Sequence, residues 1–366
     1  MKVPFNDLYR VNDKVLSKSL SAYERAIKKS SLILGEEVAE FEEKFSKFTK
    51  QKYSISCANG TDALELILRA LNIGKGDEVI VPSNSFIATA LAVVRAGASP
   101  IFVDNDEYYL IDLEGVKSSI TKNTKAIIGV NLYGQMCNVE ELSNLAKKLN
   151  LYFIEDAAQS HGSSRGDLKV GDSSIATGYS FYPGKNLGGF SDSGAITTNN
   201  RKLSEKLIKL RNVGSKEKYI HDMVGFNSRI SGLNAIVLSN KLNFIDEVNE
   251  QRNFVANRYM EGLQDNKNIV LPKIYENNYH VWHLFVLRVK NRNMFIDEAN
   301  KNGVQTLIHY PIPIHKQKAM QAFYVKNKIL QNVERFSKKI VSIPMFPYMS
   351  NKEIEHVINT VNKITI

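Results

Sequence analysis

Four short, almost purely apolar runs separated by helical patterns leave this chain few folds to choose from. Glu78 to Val81 reads EVIV, Pro100 to Val103 PIFV, Ala126 to Val130 AIIGV, and Leu151 to Ile154 LYFI. Runs this short and this apolar suit strands buried on both faces, as in a parallel sheet. From Thr61 to Leu71, residues Leu64, Ile67, Leu68 and Leu71 share one helical face. After Asn138, Val139, Leu142 and Leu145-Ala146 share another, and Lys147-Lys148 lie near the end, where cations suit the helix dipole. Strand and helix alternating at roughly 25-residue spacing argue a doubly wound α/β domain.

The alternation then breaks. Between the strand ending near Asp156 and the next, around Thr177 to Phe181, the sequence QSHGSSRGDLKVGDSS predicts a loop in place of a helix. After Phe181 comes YPGKNLGGFSDSG and then a strand, AITT, so Lys185 is expected in a Gly-rich turn between two strands. A long helix is expected from Lys241 to about Leu263, then strands near Val281 to Val289. The predicted division is a large α/β domain over 1–240, with an N-terminal helical arm to about Phe48, and a smaller domain over 241–366.

Bulk properties narrow the function. The charge balance is 48 − 38 = +10. The cations are dispersed in pairs such as Lys28-Lys29 and Lys338-Lys339, with no dense basic block or aromatic-interleaved stripe. Such a surface argues against a nucleic-acid partner and is compatible with an anionic small molecule. Cys57 and Cys137 form neither a CxxC pair nor a zinc spacing. The start, MKVPFNDLYRVND, has no signal-peptide run, and no stretch reaches transmembrane length; Ile87 to Ala98 comes nearest and is interrupted by Arg95. A cytoplasmic enzyme without a membrane partner is the expectation.

In an open parallel sheet ligands sit beyond the carboxyl ends of the strands. Three features are expected there. Asp156, in IEDAAQSHG, follows a buried strand, where a carboxylate is costly unless it meets a cation or donors. Taken alone it also fits a helix N-cap or a loop salt bridge. Lys185, in SFYPGKNLGG, is either an exposed turn lysine or a positioned amine able to attack an aldehyde. Asn59-Gly60-Thr61 opens the first helix of the alternation, whose free N–H groups suit a phosphate, although these are also ordinary helix-start residues. Together they meet the needs of pyridoxal 5'-phosphate: a lysine for its aldehyde, a carboxylate for its pyridine nitrogen and donors for its phosphate.

At these residues the sequence resembles the DegT-type nucleotide-sugar aminotransferases, within the fold-type I superfamily of pyridoxal-phosphate enzymes. The likeness runs the whole length. It includes SLILGEEVAEFEEKFSKF, ISCANGTDAL, VPSNSFIATALAVVRAGASPIFVD, NLYGQ, IEDAAQSHG, SFYPGKNLGGFSDSGAITT, GFNSRISGLNA, HLFVLRV, IHYPIPIHKQ and SIPMFP. The resemblance implies a mostly parallel central sheet with helices on both faces, plus a smaller α+β C-terminal domain. It implies that Lys185 carries the cofactor as a Schiff base and shuttles protons, that Asp156 binds the pyridine nitrogen, and that Gln159 contacts the ring oxygen. Phe86 would stack on the ring, and Gly60, Thr61 and Ser180 would hold the phosphate. Asn227 would reach the phosphate of the neighbouring subunit, making a homodimer with shared active sites. Phe86 also reads as core, and Ser180 as a strand-end hydroxyl.

A related branch has histidine in place of the lysine and removes a hydroxyl; Lys185 favours transamination. The resemblance implies a ping-pong reaction in which L-glutamate converts the cofactor to pyridoxamine phosphate and a ketosugar nucleotide takes the amine. RNVGSKEKYIHDMVGFNSR and PGKNLGG are closer to members acting on C-3 of dTDP-linked 3-keto-6-deoxyhexoses than to C-4 enzymes. Tyr182, Arg229, His309 and Tyr310 are candidates for touching the sugar or pyrophosphate. Asn131 stands where many members have His and reads as a specificity change. His309 and His315 lack an accompanying carboxylate or Cys cluster, so no metal is expected.

Overall fold

The structure, a computed structural model, describes residues 1–323 and 329–364. Its main sheet has seven strands: β1 (Tyr53–Cys57), β2 (Glu78–Pro82), β3 (Ser99–Val103), β4 (Thr124–Val130), β5 (Tyr152–Asp156), β6 (Ala176–Ser180) and β7 (Gly194–Thr198). They lie in the order β1-β7-β6-β5-β4-β2-β3. The pairs from β6 through β5, β4 and β2 to β3 are parallel, while β7 runs antiparallel to both neighbours.

Side-chain alternation explains why these strands are apolar at nearly every position. Val79, Val81, Ile128 and Ile154 join a core cluster on one face, and Ile80, Ile127 and Phe153 join another on the opposite face. On the first face they meet Leu64, Ile67 and Leu68 of α3 (Gly60–Ala70) and Val93 of α4 (Ala88–Ala96). On the second they meet Leu142 of α6 (Val139–Lys148) and Phe41 and Phe45 of α2 (Glu36–Thr49). The N-terminal arm, α1 (Tyr9–Lys28) and α2, is helical as the sequence predicts.

The helix expected from Lys241 to Leu263 is two helices. Lys241 belongs to α8 (Gly232–Leu242), and α9 (Ile245–Leu263) starts afresh after Phe244, whose N–H turns back to the Lys241 carbonyl. The apolar pattern runs through the break because Leu238 and Ile245 feed one cluster from both sides of it. Beyond α9, three antiparallel strands, β8 (Ile269–Val270), β9 (Phe285–Val289) and β10 (Ile340–Ile343), carry a third core. Tyr259 of α9, Phe285, Val341 and Val357 of α12 (Asn351–Lys363) fill it, with Val3 from the chain start. Among the described residues no helix is long and apolar enough to cross a membrane.

Candidate active site

The carboxyl ends of β2, β4, β5 and β6 open on one side of the sheet, and Asp156 is the last residue of β5. Alternation sends Glu155 into the opposite face, where it accepts from the Asn131 amide at 2.9 Å and the Gly171 N–H at 2.9 Å. Asp156, only 6% exposed, accepts from the Thr89 hydroxyl at 2.8 Å and from the Ala158 N–H at 3.2 Å. Since Thr89 spends its proton on the carboxylate, Ser85 donates to Thr89 in turn, at 2.9 Å. Burial raises the Asp156 pKa, and the Thr89 bond, the Ala158 N–H and the charge of Lys185 oppose it. Among the described residues no cation lies in salt-bridge contact with Asp156, so the site holds a desolvated carboxylate without a paired cation.

Lys185 stands in the turn between β6 and β7, as the sequence predicts. Its N–H donates to the Tyr182 carbonyl at 2.8 Å. The turn folds so tightly that a Cβ on Gly188 would come within 2.2 Å of the Pro183 carbonyl oxygen. The residue is half-buried, and its amine has no hydrogen-bond partner among the described residues. Burial lowers its pKa to about 8, against the pull of Asp156. Three histidines share this environment. His161, packed on Tyr179 and Phe181, is pushed down to about 3 and His309 to about 4, mainly by burial and also by the Lys185 charge. His283 is pushed down from the same two directions and shares a hydrogen bond with Asn186 at 3.2 Å. An amine lowered to about 8 is deprotonated in a larger fraction near neutral pH than an ordinary lysine, which makes it the better nucleophile.

At the start of α3 the Asn59 side chain caps the helix by accepting from the Asp62 N–H at 2.8 Å. The N–H groups of Gly60 and Thr61 remain without intrahelical acceptors, at the positive end of the helix dipole. Ser180, the last residue of β6, lies against them: a Cβ on Gly60 would sit 2.7 Å from the Ser180 Cβ. Gly60, Thr61 and Ser180 thus come together as an anion cradle. Asp62 is fixed from behind by the Ser228 hydroxyl at 2.7 Å and by Arg95 at 3.2 Å.

Gln159 is buried, accepting from the Tyr133 N–H at 2.7 Å and donating to the Tyr310 hydroxyl at 3.2 Å. To aim that N–H, Tyr133 adopts φ 61° while 4% exposed, a left-handed conformation that costs a bulky residue about 1–2 kcal/mol. Tyr133 also donates its hydroxyl to the His309 carbonyl, tying His309-Tyr310 to the sheet. Gly134 follows at φ 119°, where a Cβ would strike the Trp282 nitrogen at 2.8 Å. Phe86 is 53% exposed with its ring 5.5 Å from that of Tyr310, so it is an open aromatic face and not core.

The remaining candidates fall into two groups. His309, stacked on Phe5 and bonded to the Ser342 hydroxyl at 2.8 Å, lies with Tyr310 beside Gln159. Tyr182 is exposed beside the Lys185 turn. Asn227 is also exposed and accepts from Arg229 at 2.6 Å, while Arg229 donates to Asn212 at 3.1 Å. No contact joins Asn227 or Arg229 to Asp156 or Lys185 of the same chain. Asn131, read as a specificity change, is fully buried and spends its amide on Glu155 and its carbonyl on the Cys137 N–H at 3.0 Å, so any influence on a ligand would pass through those partners. Thr89 and Ser85 were not singled out from the sequence, and only their place in VPSNSFIATA, after a buried strand, marks them.

This arrangement has counterparts. The profile of the DegT/DnrJ/EryC1/StrS aminotransferase family matches residues 15–362. The chain belongs to that family. It is 46% identical over 362 residues to the dTDP-3-amino-3,6-dideoxy-alpha-D-galactopyranose transaminase of Aneurinibacillus thermoaerophilus, covering 99% of both chains. It superposes on S. venezuelae DesV, solved in complex with a ketimine intermediate, with a TM-score of 0.97 at 36% identity, over 99% of this chain and 98% of that one. The Bacillus subtilis protein NtdA with bound PMP matches with a TM-score of 0.92 at 33% identity, over 98% and 84%. The chain is therefore a pyridoxal-phosphate-dependent sugar aminotransferase of fold type I.

The residues fit that cofactor. The desolvated Lys185 amine, the buried Asp156 carboxylate without a salt-bridged cation, and the Gly60–Thr61–Ser180 cradle match an aldehyde, a pyridinium and a phosphate in kind. When bound, pyridoxal phosphate supplies a carbonyl for the migrating amine and a sink for the electrons released as the proton moves.

Proposed function

We propose that this enzyme transfers the amino group of L-glutamate to C-3 of a dTDP-linked 3-keto-6-deoxyhexose, giving a dTDP-3-amino-3,6-dideoxyhexose. The observation that carries the chemistry is the Lys185 amine, lowered to about 8 by burial and within electrostatic reach of the buried Asp156. The C-3 position and the nucleotide are supported by the printed activity of the 46% identical relative and by the RNVGSKEKYIHDMVGFNSR and PGKNLGG segments.

In this reading Lys185 Nζ bonds the cofactor and carries the proton to and from the reacting carbon. Asp156, ionised with the help of Thr89, holds the ring nitrogen protonated. Gln159 orients the ring oxygen, Phe86 covers the ring face, and Gly60, Thr61 and Ser180 bind the phosphate. Tyr182, Arg229, His309 and Tyr310 meet the sugar nucleotide. Asn227, exposed and braced by Arg229, serves the site of a second copy in a homodimer. The exposed Leu20 and Ile27 of α1 offer apolar surface for such a contact. We place the reaction in the cytoplasm, consistent with two free, buried cysteines. A large domain over 1–240 and a smaller one over 241–366 are supported by the third core, which apart from Val3 is built from residues beyond 241, although Leu284, Val286 and Ile340 pack into the first core.

The test is incubation with L-glutamate and dTDP-3-keto-6-deoxyglucose or its galacto epimer, the product read by mass spectrometry and NMR. An amine at C-3 is expected. An amine formed only from a 4-keto sugar nucleotide would move the chemistry to C-4, and loss of a hydroxyl without gain of an amine would make the enzyme a dehydratase.

A further inference from the structure

The loop that carries the anion cradle is held at both ends by one hydroxyl from a distant part of the chain. Ser228 is 1% exposed and lies 170 positions from Ala58 and 166 from Asp62. Its oxygen accepts from the Ala58 N–H at 3.2 Å, and its proton goes to Asp62 Oδ2 at 2.7 Å. Asn59, Gly60 and Thr61 lie between those two points. One bond uses the hydroxyl as acceptor and the other as donor, so they do not compete. The backbone behind it is anchored too. The Ser228 N–H donates to the Arg211 carbonyl at 3.0 Å, and Arg211 is bound to Glu42 and to the Ser56 carbonyl at 2.8 Å.

Asp62 occupies the third position of α3, where an acidic side chain commonly turns back onto the N–H of the capping residue. Here it does not. Its Oδ1 faces Arg95 at 3.2 Å, and its Oδ2 holds the Ser228 proton. The Asn59 N–H, like those of Gly60 and Thr61, donates to no described residue. A carboxylate released from Ser228 is free to swing onto these donors. There it would compete with a phosphate for the same protons and repel its charge. Arg95, with a side chain 42% exposed, is the weaker restraint on it.

We propose that Ser228 is a positioning residue for the phosphate of the cofactor: it fixes the span of the 58–62 loop and keeps the Asp62 carboxylate off the donors of the cradle. The inference rests on the reading of Gly60, Thr61 and Ser180 as that cradle.

The test compares two ligands on the full-length apoenzyme by equilibrium dialysis. One is pyridoxal phosphate; the other is pyridoxal, which has the same aldehyde and ring nitrogen but no phosphate. Ser228→Ala is expected to lower affinity for pyridoxal phosphate at least fivefold and to change that for pyridoxal less than twofold. Adding Asp62→Asn to Ser228→Ala is expected to raise the preference for the phosphorylated ligand at least twofold above that of Ser228→Ala. Equal losses for the two ligands would make Ser228 a support of the fold alone and overturn the proposal, as would failure of Asp62→Asn to recover any of the preference. Gly60→Ala separates the role of Ser228 from the cradle beneath it. If Gly60→Ala lowers the preference and Ser228→Ala does not, the cradle stands and the role of Ser228 falls; if neither lowers it, both fall.

Discussion

Replacing Thr89 with valine removes one hydroxyl and almost no volume. That hydroxyl donates to the Asp156 carboxylate at 2.8 Å inside a site where Asp156 is 6% exposed. A hydrogen bond to a buried ionised group contributes about 1.5–3 kcal/mol. Without it the Asp156 pKa, already raised by burial, rises further, and the carboxylate competes with the ring nitrogen for the proton. At about 1.36 kcal/mol per factor of ten, Thr89→Val is expected to lower kcat by about tenfold to a hundredfold. Cofactor affinity should fall with it, because the ion pair contributes to binding. Thr89→Ser should recover most of both. The assays are steady-state turnover, cofactor affinity by equilibrium dialysis, and a thermal melt to confirm that the fold is intact. A folded Thr89→Val enzyme within twofold of wild type in both kcat and cofactor affinity would refute the reasoning.

Four further outcomes are expected. Gly60→Ala should weaken cofactor binding at least tenfold by dialysis, because its Cβ would meet the Ser180 Cβ at 2.7 Å and spread the phosphate cradle. Capture of pyridoxal phosphate by the apoenzyme should quicken as pH rises through about 8, where Lys185 loses its proton, and not near the 10.5 of an ordinary lysine; stopped-flow absorbance reads this. Acid should destabilise the fold through His161 and His280, both depressed to about 3 by burial. The unfolded chain binds their protons first, so stability is full above pH 6.5 and falls by about 2 kcal/mol per histidine by pH 5, measurable by urea titration. Mixing inactive Lys185→Ala and Asn227→Ala proteins after joint refolding should restore part of the activity if sites are shared across a dimer, and no rescue would count against sharing.

Much of this site could be read from the sequence because its backbone frame is made of local signals. A strand buried on both faces is apolar at every position, so EVIV and AIIGV announced β2 and β4. A Gly-rich turn between two strands announced the place of Lys185. β1 escaped notice because YSISC alternates serine with larger residues and carries no continuous apolar run. The Thr89 contact to Asp156 spans 67 positions and depends on how α4 docks beside β5, which no local pattern encodes. Tyr133 gave no warning either: an aromatic residue argues for extended backbone, and only the tertiary bond from its N–H to Gln159 holds it at φ 61°. Asn131 drew notice only because many members of the family have His there; its bonds to Glu155 and to the Cys137 N–H join residues 24 and 6 positions away, which no local pattern links.

The account stands on Lys185 as the cofactor-bearing residue, and the most direct measurement is peptide mapping after borohydride reduction of the holoenzyme. Reduction fixes the cofactor to whichever amine holds it. A pyridoxyl mass confined to the peptide containing Lys185, absent in Lys185→Ala, is the predicted result. A label on any other lysine, or an unlabelled Lys185 in active enzyme, would contradict it.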